Sequence, residues 1–576
     1  MNVLRRMKKR VTPLTDFFVM DTENGERDGK RVKYNFNKQF IFGVIYGHNY
    51  QQVFYSREEM TYALQTDKRF KDKIVFAHNA EYDLTILYDN IYQRFPEAIF
   101  NGKFICADNG NCMFADSGNI YVHASVEKIG KLLGMPKQDI KYDYWYKDIH
   151  ADHINYCTQD CAIIYEALYQ TFEFAGAIKI TQASLSMVYF RTFHQKFDIE
   201  HNEHTKCFYD SYFGGRTEAF KIGKTNASCI DVNSMYPFVM KTERFPNPKF
   251  FKTILNVNVK VFLKKYLPHY EGCIYCTILH KEKTFGFLPF KSNGKLLFPV
   301  GKFSGCWNFN EIRYALEQGA ITIEKIAKIV YAPGMPSPFV DFVDYLYNER
   351  FKTDNELTID RIKRYMNSLY GKFAQRIQEE HIYIENIEKQ YHVIQEHQQK
   401  KTFIRFIPFN AQRSDGFLVV KTAKKVDTSF AIPSFASYIT SGARIILLKE
   451  LYRIEKFKPV YCDTDSIFYE INTDPYPSSK ALGKFKLENK TITEIRGLKN
   501  YKYIENGEEK RRLKGVPNKA VQIGPTSFEY FNLVKTKESL RRNIEAGTRI
   551  KRAKNITGKY DKRIVFADGE TKPIEI

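Results

Sequence analysis

Apolar positions along this chain fall into short β-type runs and helical repeats, and carboxylates gather where those runs end. Phe17-Phe-Val-Met-Asp-Thr-Glu-Asn24 is an apolar strand closing on Asp21-x-Glu23, two carboxylates on one strand face. Lys73-Ile-Val-Phe-Ala-His-Asn-Ala-Glu-Tyr-Asp83 predicts a second strand running into a helix that starts near Asn79. His153 to Leu168 has helical periodicity that sets Tyr156 and Asp160, at i and i+4, on one face. Cys229-Ile-Asp-Val-Asn-Ser-Met-Tyr-Pro237 predicts a strand ending in a turn, with Pro237 stopping the strand. Arg361 to Phe373 predicts a helix up to Gly371 that carries Lys363, Asn367 and Tyr370 on one stripe, too polar to be a core stripe. Tyr461-Cys-Asp-Thr-Asp-Ser-Ile-Phe-Tyr-Glu470 predicts a β-hairpin with Asp463 and Asp465 at or near its bend.

Two aspartates that close repel unless a cation lies between them, and Mg²⁺ or Mn²⁺ held by hard oxygen ligands is the natural occupant. Taken singly, each feature has a plain alternative: an acidic solvated turn at Asp463, a helix cap at Asn79, a core ring at Tyr156, a surface charge at Asp160. Ser211-Tyr-Phe-Gly-Gly-Arg216 is a turn or close-approach signal in which Tyr212 and Arg216 are suited to stack on a base and hold a phosphate. Its plain alternative is an interdomain turn.

The length of 576 residues suggests two to four domains. Lys+Arg 88 against Asp+Glu 66 gives +22 and a pI near 9.2, which points to nucleic acid before an anionic membrane. The abundant Tyr and Phe, interleaved with basic residues, suit a surface that tracks phosphates and stacks on bases, although most must be core. Cys273-x-x-Cys276 has no second pair at zinc-finger spacing, so the cysteines read as reduced thiols of a cytosolic protein. No apolar run reaches the roughly 18 residues of a membrane span, and the start lacks a secretory h-region.

In sequence order these pieces acquire a common meaning. Asp21/Glu23, Asn79/Tyr82/Asp83 and Tyr156/Asp160 match Asp-x-Glu, Asn-x-x-(Phe/Tyr)-Asp and Tyr-x-x-x-Asp, so the first third resembles the 3′–5′ exonuclease domain of proofreading DNA polymerases. The resemblance implies an RNase H-like domain whose four carboxylates hold two divalent metals while Tyr156 orients the attacking water. It makes Asn24, Asn79 and Tyr82 contacts to a frayed single-stranded 3′ end. Ser125-Val-x-x-Ile129 is a looser match to a further single-strand motif, with Val126 where Leu is usual. Lys137-Gln-Asp-Ile140 resembles a lysine motif that assists exonucleolysis.

The remainder resembles a family B polymerase. Tyr212-x-Gly214-Gly215 is similar to the linker of phage polymerases, with Arg216 beside it as a phosphate contact. Asp231-x-x-Ser234-Met-Tyr236-Pro237 resembles the first palm motif, implying Asp231, Asp465 and the Val232 carbonyl as metal ligands opposite Asp463. Ser234 is then a triphosphate contact and Tyr236 a steric gate against the 2′-hydroxyl. Lys363, Asn367 and Tyr370 match the fingers helix, which implies that Lys363 clamps the incoming triphosphate and that Asn367 and Tyr370 floor the nascent pair. Lys352 adds a second phosphate contact. Lys499 and Tyr501 resemble the Lys-x-Tyr motif that holds the primer strand, although Lys502 and Tyr503 lie next door, and Thr464 lies against DNA.

Within that family the chain resembles the protein-primed group of bacteriophages and linear plasmids, having little before Asp21 and two long palm interruptions. The expected fold is multidomain, α/β and α+β: exonuclease 1–205, palm 206–245 and 431–510, fingers 346–375 and thumb 511–576. The thumb is expected to be basic and β-rich. Insertion 246–345 is expected to contact a terminal protein primer, and insertion 376–430 to enclose DNA and support strand displacement. Two Mg²⁺ or Mn²⁺ ions are implied at each site, with DNA, dNTPs and terminal protein as partners of a monomer or heterodimer in the host cytoplasm. The nearest alternative is a nucleic-acid-primed family B polymerase; the more distant ones are an inactive DNA-binding relative and a stand-alone nuclease.

Overall fold

The computed structural model describes residues 2–9, 13–25, 39–88, 91–95, 98–100, 103–138, 149–377, 380–381, 391–392, 395, 403–408, 416–421, 426–470, 477–517, 519–534, 538, 549–556 and 560–576. Two seven-stranded sheets organise them. The first runs Tyr50–Phe54, Gln39–Gly47, Phe17–Gly25, Ile74–Ala77, Met113–Asp116, Phe104–Asp108, Ile99–Phe100. Its three middle strands are parallel and the outer ones antiparallel. Central strands covered on both faces must be apolar throughout, as Ile74-Val-Phe-Ala77 is. Helix Ala151–Ala175 lies across this sheet and ends on Gly176, whose φ of 70° supplies the left-handed C-terminal turn. It buries Tyr156, Cys157, Asp160, Ile163, Ile164 and Ala167, a face at helical spacing.

The second sheet is antiparallel throughout: Thr217–Ala219, Pro459–Asp463, Ser466–Glu470, Gly223–Val232, Phe485–Gly497, Asn500–Glu505, Glu508–Leu513. Its strands come from residues 217–232 and 459–513, so the strand carrying Asp231 lies between two that are made more than 200 positions later. Helix Pro433–Arg453, almost wholly buried, crosses behind it. Helix Glu356–Lys372 packs against helix Gln182–Tyr189, where Ser186 donates to the Tyr365 carbonyl at 2.6 Å. The expected fold class holds.

Residues 245–335 form their own antiparallel sheet from Phe245–Pro246, Lys252–Leu255, Tyr270–His280, Gly301–Asn308 and Ile321–Met335, covered by helix Phe309–Glu317. Within residues 376–430, Glu380–His381, Phe403–Pro408 and Gly416–Lys421 make a three-stranded antiparallel sheet. Residues 378–379 and 396–402 lie outside the described residues, as do Asp139 and Ile140.

Two expectations need correction. Pro237 does not stop the strand in a loop: it sits in the first turn of helix Met235–Thr242, where a missing N–H costs nothing. A boundary at 511 cuts through the last strand of the second sheet, because Arg511 and Arg512 are still paired with Lys502 and Tyr501. Beyond it, Val521–Gln522, Ser527–Leu533 and Arg549–Asn555 form a separate three-stranded sheet. Residues 560–576 then return to the edge of the second sheet, where the Thr571 N–H donates to the Phe220 carbonyl, and to the 245–335 sheet, where Ile576 exchanges backbone bonds with Val300 and Lys302.

Candidate active sites

Strand Phe17–Gly25 and helices Ala80–Tyr88 and Ala151–Ala175 converge on one corner of the first sheet and bring Asp21, Glu23, Asp83 and Asp160 together. Asp83 Oδ1 accepts from the Thr22 N–H at 3.1 Å and from its hydroxyl at 2.9 Å. Lys137 ion-pairs with Asp160 Oδ2, and its ammonium stands 4.4 Å from the Tyr156 ring centroid. Asp160 Oδ1 is buried without a hydrogen bond. Burial raises every carboxyl here. Asp21 is pushed up to about 7 by burial and then by the charge of Asp160, against Lys137. Glu23 and Asp83 are raised by burial and then by Asp21, and Asp160 by burial against its bond to Lys137.

Around this cluster Asn24 accepts from the Tyr82 hydroxyl at 2.9 Å. Asn79 is not an extended helix cap: its φ is 74°, and its N–H donates to Asp116 Oδ1 at 2.9 Å. Ser125 caps helix Val126–Leu133 by accepting the Lys128 N–H at 3.2 Å. Three participants escaped the sequence reading. His78 ties the strand–helix turn to Ser117 and Ala124, both at 2.9 Å, with its pKa lowered by burial. Thr22 lies between the two strand acids. The Cys157 thiol donates to Asp21 Oδ2 at 3.6 Å, and its i, i+3 spacing from Asp160 was a usable signal.

In the second sheet Asp231 pairs across from Ser466 on one side and Lys486 on the other. The hairpin forms as expected, but strand alternation is not what brings the two aspartates together. They flank a tight bend in which Thr464 has φ 62° and the Asp465 N–H donates to the Asp463 carbonyl at 2.7 Å. The Val232 N–H donates to the Asp465 carbonyl at 2.9 Å, which fastens the Asp231 strand to that bend. Burial pushes Asp231 up to about 7, helped by the charge of Asp465; Asp465 is itself raised by burial. Asp463 accepts from the Thr217 hydroxyl at 3.2 Å, and Lys499 Nζ stands 2.9 Å from its Oδ2. Lys502 instead meets Glu494 and Glu509 on the sheet, so the frame containing Lys499 reaches the site. Tyr501 packs on Tyr461 and Phe468.

The linker meets the bend directly. A Cβ on Gly215 would lie 2.8 Å from Thr464 Cγ2, and the Thr464 N–H donates to the Arg216 carbonyl at 2.7 Å. Gly214 faces open space, while Arg444 holds the Phe213 and Gly214 carbonyls at 2.8 and 3.0 Å. Arg216 departs from its expected role. Its guanidinium is 1% exposed, bonded to Glu218 and the Gly286 carbonyl, so it cannot reach a phosphate. Tyr212 is half-buried.

Ser234 has φ 56° at the start of its helix, and the Tyr236 ring stacks on Tyr370 at 4.5 Å. On helix Glu356–Lys372 the exposed stripe is Lys363 and Asn367 with half-buried Tyr370, while Ile362, Tyr365, Met366 and Leu369 fill the core. Burial and the Arg350 charge lower the Lys363 pKa. Lys352 is exposed and paired with Glu349 at 2.8 Å.

Residues 36–412 match the family described as DNA polymerase type B, organellar and viral. The chain is 26% identical to the DNA-directed DNA polymerase of Enterobacteria phage PRD1 over 482 residues, covering 80% of this chain and 78% of that one. It is 28% identical over 364 residues to a protein of Neurospora intermedia named "Probable DNA polymerase", covering 59% of this chain and 36% of that longer one. Phi29 DNA polymerase, solved with primer-template DNA and incoming nucleotide, superposes with a TM-score of 0.69 at 15% identity over 94% of this chain and 100% of that one, a likeness of fold.

Proposed function

The chain belongs to the organellar and viral type B DNA polymerases, and on that premise we propose that it extends DNA from a terminal protein primer and trims mispaired 3′ ends. The observation that carries the polymerising role is the convergence of Asp231, Asp463 and Asp465 on one bend and its neighbouring strand. The trimming role rests on Asp21, Glu23, Asp83 and Asp160, with Tyr156 and Lys137 beside them.

Both clusters suit hard divalent cations. Desolvated carboxylates with raised pKa values, and a buried Asp160 oxygen without a bond, gain most from a positive charge held among them. Asp231, the Val232 carbonyl, Asp463 and Asp465 would hold Mg²⁺ or Mn²⁺ at one site, and the four exonuclease acids at the other, two ions each. Such ions, when bound, stabilise charge on attacking and leaving oxygens.

The chain's own groups do the rest. Lys363 and Ser234 hold the triphosphate, and Lys352 adds a second phosphate contact. Tyr236, backed by Tyr370, closes the space a 2′-hydroxyl needs, and Asn367 floors the nascent pair. Lys499 and Tyr501 hold the primer strand, while Tyr212, Gly214, Gly215 and Thr464 pass the template strand. A frayed end enters beside Asn24, Asn79, Tyr82 and Ser125. Residues 246–345 receive the terminal protein, and the second insertion, 376–430, encloses the DNA to permit strand displacement. Among the described residues no helix is long and apolar enough to cross a membrane; the enzyme we propose works on DNA in the host cytoplasm.

The test is primer extension and 3′-end release on a labelled mismatched hairpin, with Asp463→Ala and Asp21→Ala beside wild type. A parallel reaction contains terminal protein and one labelled dNTP. Asp463→Ala should lose extension and keep trimming, and Asp21→Ala the reverse, with label transferred to the protein. Extension without labelling would replace protein priming by nucleic-acid priming. Absence of extension would end the polymerase reading.

A further inference from the structure

A cleft of about 730 Å³ lies between the linker and the outer face of the inserted sheet. One wall is Tyr209, Tyr212 and Phe213; the other is Tyr275 and Thr277, with Lys291 and Lys325 at its rim. The volume falls in the range of small-molecule pockets and accommodates one or two nucleotides. Its chemistry is mixed in a particular way. Tyr275 is fixed from both sides, its hydroxyl donating to Asp210 Oδ2 at 2.7 Å and its ring facing Lys328 Nζ at 3.9 Å. That bond occupies Asp210, the one acid in the lining, whereas Lys291 and Lys325 are exposed and carry no acid partner among the described residues. Thr277 and Ser304 share a hydrogen bond at 2.8 Å on the floor. Rings to stack on, cations for phosphates and small hydroxyls together suit single-stranded nucleic acid, with stacking that tolerates any base.

The cleft also has a defined relation to the catalytic bend. Phe213 is held by Arg444 through its carbonyl, and two residues later Gly215 touches Thr464. We propose that this cleft binds one or two unpaired nucleotides of a DNA strand that runs past the Asp463–Asp465 bend. The proposal rests on the polymerase reading for its purpose, and its binding chemistry stands on the lining alone.

The probe is a short oligothymidylate carrying 5-iodouracil, photocross-linked to the full chain in EDTA and mapped by peptide mass spectrometry. Cross-links are expected on residues 209–213 and 270–280, besides those in the exonuclease site, which serve as an internal control. Lys325→Glu, an exposed change, should lower the cleft yield at least about fivefold while leaving the exonuclease yield unchanged. Tyr275→Ala should do the same. Extension of a preformed primer duplex is run in parallel; its failure in wild type would strike the polymerase reading without touching the cross-link result. Absence of cross-links on both segments, a yield indifferent to Lys325→Glu, or cross-linking of these segments to a terminal protein and not to DNA would each overturn the proposal.

Discussion

The Tyr236 ring lies on Tyr370 with centroids 4.5 Å apart and planes inclined by 28°, so the first turn of helix Met235–Thr242 is braced by the last turns of helix Glu356–Lys372. If that stack is the sugar gate, Tyr236→Ala should raise ribonucleotide incorporation relative to deoxynucleotide by at least about tenfold. Tyr370→Phe keeps the ring and should change the ratio less than about threefold. Single-nucleotide kcat/KM values for rNTP and dNTP decide it; an unchanged ratio in Tyr236→Ala removes the gate.

Lys499 and Lys502 offer a paired test of the primer-strand frame. Lys499 faces Asp463, whereas Lys502 is occupied by two sheet glutamates. Lys499→Ala should lower extension by about tenfold and Lys502→Ala by less than about twofold, an expectation set by loss of one close charge contact. Equal losses would assign neither.

Gly215 and Gly214 differ by their surroundings. A methyl at Gly215 meets Thr464, and one at Gly214 meets nothing within 4 Å. Gly215→Ala should displace the bend and cost extension about tenfold or more, with trimming preserved, while Gly214→Ala stays within about twofold. Loss of both activities in Gly215→Ala would indicate global damage instead.

Arg216 is predicted to matter for stability. Its guanidinium and that of Arg563 neutralise Glu218, which is fully buried. Removing one partner of a buried pair costs about 3–5 kcal/mol. Arg216→Ala should show that loss in denaturant unfolding, and the folded fraction should bind template-primer as wild type does. Normal stability with weakened DNA binding would restore the phosphate role.

Asp21 and Asp231 are both raised from an ordinary 3.8 to about 7. An acid whose pKa is raised by folding favours the folded state while protonated. That contribution is complete below about pH 3.8 and is lost as pH climbs through about 7. In EDTA the wild-type melting temperature should therefore fall between about pH 4 and 7 more than that of Asp21→Asn/Asp231→Asn. Added Mg²⁺ should raise it more at about pH 8 than at about pH 6. Parallel pH profiles for the two proteins would contradict the assignment.

The sequence carried much of this because both clusters depend on local patterns. Asp21-x-Glu23, Tyr156 with Asp160 and the Lys363 stripe are set by strand and helix periods, and each period survives in the fold. What it could not convey was which polar groups spend their capacity on the protein itself. Arg216 looked like a phosphate ligand because Glu218 and Gly286 reach it only through tertiary packing, and Ser125 is engaged as a helix cap. Likewise Asp463 and Asp465 converge through a bend with positive φ at Thr464, a conformation that strand alternation does not anticipate. Cys157 was passed over because its meaning depends on Asp21, 136 positions earlier.

The interleaved order of the second sheet sets a schedule for synthesis. Thr217 meets Asp463 across 246 positions, and the Ala219 N–H waits for the Tyr560 hydroxyl across 341. On a ribosome, the sheet bearing Asp21 has all its strands and its covering helix once Ala175 has emerged, and can fold as a unit. The strand bearing Asp231 must remain unpaired until translation is nearly over, its backbone open to aggregation or to chaperones. A nascent chain released early would thus hold the Asp21 cluster without the Asp231 cluster, and slow codons between the two halves should favour yield of the intact protein.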